Sequence, residues 1–164
     1  MIKISATFAW KEYNTVSVTE STPTNLNFGS TDATDLVALT YPITAGSNAY
    51  EKWIKFDFSG TFTSISNLQF WKSVGTYVSE EAIKWKGNNQ TVFATPTVSD
   101  SSVATADVPV ADPGTANVSI GGSLAGTLSA AGKSDFVVLQ SQIGASAAAG
   151  PTNTKTFTIQ YDEI

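Results

Sequence analysis

Residues 52–60 read KWIKFDFSG. In an extended chain successive side chains point to opposite faces, so Ile54, Phe56 and Phe58 share one side and Trp53, Lys55 and Asp57 the other. Three large apolar groups at a period of two, closed by Ser59-Gly60, predict a strand with one face on a core. The pattern repeats outward in both directions. Towards the N-terminus, Ile2, Ile4, Ala6, Phe8 and Trp10 alternate, EYNTVSVTE alternates around Val16 and Val18, and DLVALTYPI (35–43) is a short apolar strand candidate ending at Pro42. Towards the C-terminus, Leu68 and Phe70 oppose Gln69 and Trp71, and Ile83 and Trp85 oppose Lys84 and Lys86. TVFATPTV (91–98) is a further apolar stretch, followed by DFVVLQSQI (135–143) and KTFTIQY (155–161).

Gly, Asn, Asp and Ser clusters punctuate these runs, and no run is long enough for a stable isolated helix; one turn at Ser79–Lys84 is the most the residues allow. Short strands at this spacing predict an all-β fold, an antiparallel β-sandwich or jelly roll with little or no helix. A length of 164 residues predicts one domain, 1–164. Residues 96–132 are small, polar and poor in aromatics, which suits a linker or a long loop with two thin strands; the second fits better, because 134–164 hold too little apolar area to fold without 1–95. The closing strand, with Phe157, Ile159 and Tyr161 on one side, is expected in the middle of a sheet between earlier strands.

Composition narrows the chemistry. The chain has no Cys, no His and no Arg, and a net charge of −5. A Ser-His-Asp triad, a Cys-His pair and the common zinc or copper ligand sets cannot be assembled. Without guanidinium groups, and with mild acidity, nucleic acid is not an expected partner. No stretch has the apolar length of a membrane helix, and MIKISATFAW reads as a strand rather than a signal peptide. SIGGSLAGTLSAAG (119–132) lacks the Lys of a phosphate loop and reads as flexible loop. Glu80-Glu81 and Asp162-Glu163 are the visible carboxylate pairs; strand neighbours point apart, so both are expected to be solvated strand ends rather than an acid/base couple. Lys52, Lys55, Lys84 and Lys86 are expected to face solvent, which leaves no buried lysine for Ser-Lys catalysis. Asp100, Asp107 and Asp112 lie in the long loop but lack the spacing of a calcium loop. The expectation is a non-enzymatic chain with no cofactor and no metal.

Four tryptophans remain: Trp10, Trp53, Trp71 and Trp85. Trp53 and Trp71 stand opposite the apolar face of their strands, so at least one is expected to be partly exposed. These two are the interface candidates, since exposed indoles anchor protein contacts or stack on sugars.

The segments NFGSTDATD, YPITAGSNAYEKWIKFDFSGTFTSISNLQFWKS and DFVVLQSQIGASAAAGPTNTKTFTIQYDEI resemble small β-sandwich structural proteins of tailed-bacteriophage virions. The last of them is also similar to the closing hairpin of immunoglobulin-like (Ig-like) domains. The resemblance implies a virion protein made in the bacterial cytoplasm, a capsid decoration protein binding the major capsid protein or another virion protein, with self-association as a homotrimer. A carbohydrate-binding sandwich using Trp53 or Trp71, a tail- or fibre-associated structural protein, and a hydrolase with an unrecognised carboxylate pair are the rival readings.

Overall fold

The computed structural model describes residues 5–15 and 20–164. The described chain is all-β: β1 (Ala6–Tyr13), β2 (Lys52–Gly60), β3 (Ile65–Val74), β4 (Glu81–Lys86), β5 (Ala106–Asp107), β6 (Gly132–Lys133), β7 (Val137–Ile143) and β8 (Thr156–Glu163). Every pairing is antiparallel. One sheet runs β1-β2-β7-β4-β5 with β6 beside β2, and a two-stranded sheet pairs β3 with β8. The two sheets meet in a sandwich-like arrangement.

The period-two reading of β2 holds on the core side. Ile54, Phe56 and Phe58 are fully buried with Leu68, Phe70, Ile83, Val137 and Leu139. Two aromatic contacts tie the sheets together: Phe56 lies 5.8 Å from Phe70, and Phe58 lies 4.9 Å from Tyr161 edge-on. Within the two-stranded sheet, Phe157 stacks on Phe70 at 5.3 Å. The segment expected to be thin supplies Val108, Val118 and Ile120 to this same core. Ile2, Ile4, Val16 and Val18 lie outside the described residues.

Several expectations need correction. β8 pairs with β3 alone among the described residues, at the rim rather than the middle of a sheet. The other edge of β3 is occupied by a loop. Pro109 O accepts from Lys72 N, and Asn117 uses its carboxamide as a strand would, accepting from Phe70 N (2.8 Å) and donating to Phe70 O (2.9 Å). DLVALTYPI forms no strand. Asp35 takes a left-handed backbone (φ 54°), and Thr40 and Tyr41 both donate to Val37 O, so the chain turns there. Ser79-Glu80 is a turn with Glu80 at φ 66°, feeding directly into β4 without a helical turn.

Candidate functional site

The two expected interface tryptophans are covered. Trp53 has no exposed surface, and Trp71 retains 9%. Their strands do place them opposite the main core, but that second face is also roofed. Over Trp53 lies a smaller cluster of Ala104, Phe136 and Val138, with Tyr13, Phe93 and Val103 packed against it. Phe93 and Phe136 meet the indole edge-on at 5.4 and 5.5 Å.

A buried polar lattice holds this roof down. The Glu51 carboxylate accepts from Trp53 Nε1 (2.9 Å), from Thr97 N (3.3 Å) and from the Ser101 hydroxyl. Ser101 Oγ in turn accepts from the Val103 and Ala104 amides. Gln140 accepts from Ser101 N and donates to Ser99 O at 2.7 Å. A buried carboxylate and carboxamide are costly unless bonded, and here most of their bonds go to one loop, 97–104, which fixes its course.

The lysines also depart from expectation. Lys52 is buried, donating to Glu12 Oε1 and to Ala33 O at 2.7 Å each. Burial raises the Glu12 carboxyl above its usual range, with Lys52 opposing. Lys55 lies 4.3 Å over the Phe136 ring, and its desolvation lowers its pKa, with Asp135 opposing. Lys155 and Glu81 form a second buried pair, so Glu81 is not a solvated strand end. Beside that pair, Tyr77 sits under Lys72 and Lys155, and burial first, then Glu81, pushes its hydroxyl up to about 12. Lys84 pairs with the exposed Asp107 at 2.6 Å.

The remaining acidic candidates are dispersed. Asp100 accepts from Asn48 and Asp112 from Gly114 N. Asp162 accepts from Asn67 and Glu163 from Ala6 N. Among the described residues no group of three or more His, Cys, Asp or Glu is placed to hold a metal. The buried pairs join distant chain segments, Lys52 to Glu12 and Ala33, and Lys155 to Glu81.

What the structure does present is an apolar projection that the strand reading of 35–43 concealed. Leu36 is buried as a foot, while Val37, Leu39 and Tyr41 are 59, 92 and 42% exposed. The projection is braced on both sides. Asp35 Oδ1 accepts from Thr24 N, Thr24 Oγ1 and Asn25 N, bonds that hold its carboxyl below the usual range. Asn27 Nδ2 donates to Leu36 O, and Ser30 N donates to Tyr41 O. No charged residue occurs from 36 to 50. Pro42 closing the alternation of Val37, Leu39 and Tyr41, and the uncharged run 36–50, are the signals the sequence offers; neither marks the stretch as exposed.

A scan of family models and searches of curated proteins and of solved structures return no match to this chain.

Proposed function

We propose that this chain is a non-enzymatic structural subunit of a bacteriophage particle, a capsid decoration protein that attaches to the major capsid protein through the projection Val37–Pro42. The particle assignment is supported by the resemblance of the segments from Asn27 to Ser73 and Asp135 to Ile164 to virion β-sandwiches. The attachment mode is carried by one observation: Leu39 stands 92% exposed on an uncharged loop braced by Asp35 and Asn27. Solvated apolar side chains on a mobile loop lose entropy when they dock; a braced loop has already lost most of it, so burial of Leu39, Val37 and Tyr41 goes into affinity. This projection replaces Trp53 and Trp71 as the anchor. A repeated shell lets modest contacts per copy add up once the subunit self-associates, as a homotrimer in this reading.

The test is co-sedimentation of purified protein with undecorated capsids of its phage at low and high salt. Binding is expected at both, because there is little charge at the contact to screen. Tyr41→Ala combined with Leu39→Ser should weaken attachment by about 2 kcal/mol or more. Absence of co-sedimentation, or a location in the tail, would refute the decoration role. Unchanged binding by the double variant would refute the projection as anchor.

A further inference from the structure

Trp10 lines an open cleft. Together with Pro23, Leu26 and Phe157 it forms the apolar part of a depression of about 290 Å³, whose polar part comes from Thr24, Asn25, Lys155 and Thr156. Both aromatic groups are held from behind. Trp10 packs edge-on against Phe56 at 5.5 Å and Phe8 at 5.9 Å, while Phe157 has one face stacked on Phe70. Their remaining surface is thus presented without freedom to collapse. The Trp10 indole N–H is neither bonded nor sealed from solvent among the described residues.

The charge of the cleft decides the occupant. Lys155 lends it only part of its side chain, because the ammonium is spent on Glu81 and lies 5.5 Å from the Tyr77 ring centre. Asp35, bonded to two residues of the rim, is turned to the Thr24 and Asn25 backbone amides and the Thr24 hydroxyl. What lines the cleft is therefore an indole, a phenyl ring, the Thr156 hydroxyl and the amino half of the Asn25 carboxamide, whose oxygen accepts from Asn27 N, with no ion free to pair. A lipid or apolar peptide side chain would leave the Asn25 and Thr156 polar groups unsatisfied, and an anionic ligand would find no counter-charge. A ring with one C–H-rich face for the aromatics and equatorial hydroxyls for the rim meets all of these terms.

We infer that the Trp10–Phe157 cleft is a binding site for one neutral pyranose unit of a polysaccharide, beside the attachment projection and joined to it through the bonds of Thr24 and Asn25 to Asp35. The experiment is a nuclear magnetic resonance titration of the full chain, following the four indole N–H signals. The probes are glucose, galactose, mannose, N-acetylglucosamine and N-acetylgalactosamine, with their tetrasaccharides where available, and glucuronic acid as the charged control. At least one neutral sugar should shift the Trp10 signal saturably at about 1–10 mM, the weak range of a single small ligand. Trp53 should stay still, and glucuronic acid should give at least a ten-fold weaker response. Trp10→Ala should abolish the saturable sugar-induced shifts of the Asn25 and Thr156 backbone amides. Because Trp10 also packs on the core, Thr156→Ala serves as the rim variant, weakening binding several-fold while leaving the melting temperature unchanged. No saturable shift from any neutral sugar overturns the inference. So does a Trp10 shift produced by an apolar dye but by no sugar, which would mark the cleft as an apolar docking surface. Capsid attachment is read by sedimentation, so either result leaves the decoration reading to its own test.

Discussion

Lys52 shows how one side chain can oppose the pattern that surrounds it. It shares the core side of β2 with Ile54 and Phe56, yet ends on Glu12 and Ala33 O. Breaking such a pair strands a buried charge, so Lys52→Met should cost about 3–5 kcal/mol in urea denaturation, and adding Glu12→Leu should recover much of it. The pH dependence has a definite sign. A carboxyl raised on folding contributes stability in full below its ordinary value of 4.5, and loses that contribution as pH rises through the raised value. Glu12→Gln, uncharged throughout, should therefore gain stability relative to the parent chain as pH is raised from 4.5 upward. A widening deficit over that range would contradict the burial of Glu12. Gly75 is the clearest backbone constraint: at φ 90° an added Cβ would stand 2.2 Å from Thr154 O. Gly75→Ala should lower the melting temperature by several degrees, since both strain and collision act on the β3 exit.

At the scale of elements, the loops carry as much of the architecture as the strands. Residues 97–104 roof the outer face of β2 because Glu51, Ser101 and Gln140 absorb the loop's polar groups. Glu51→Ala should loosen that roof before the sheet itself: Trp53 fluorescence should shift to the red, and amides of 97–104 should exchange faster than those of β7. Unchanged Trp53 emission would show that apolar packing alone holds the roof. On the other sheet, Asn117 closes the β3 edge. Asn117→Ala leaves two backbone groups of Phe70 without partners and should cost about 1–3 kcal/mol.

For the molecule as a whole, the two sheets are joined through the pairs Phe56–Phe70 and Phe58–Tyr161, so their fates are linked. Phe70→Ala, at the centre of that contact, should cost about 3–5 kcal/mol. Deleting 156–164 should remove half of the two-stranded sheet and leave the chain insoluble. A soluble, cooperatively folding truncation would show the rim strand to be dispensable. Far-ultraviolet circular dichroism should show β structure with helix below about a tenth of residues.

The alternation of Ile54, Phe56 and Phe58, and of Phe157, Ile159 and Tyr161, made strands and their core side readable from residues alone, because a strand's periodicity is set by local geometry. The absence of His and Cys likewise removed whole classes of chemistry before any fold was known. What lay above the second face was not readable. Whether Trp53 meets water or Phe93 depends on a loop some forty residues away that Glu51 happens to anchor. The same non-local cause separates Tyr41 from Tyr161. Both belong to apolar runs of period two, but only Tyr161 finds an aromatic ring, Phe58, across a sheet interface. Leu39 and Tyr41 find none, and the stretch that looked like a strand became the exposed projection. Periodicity specifies which residues share a face; only the packing of distant segments decides whether that face is covered.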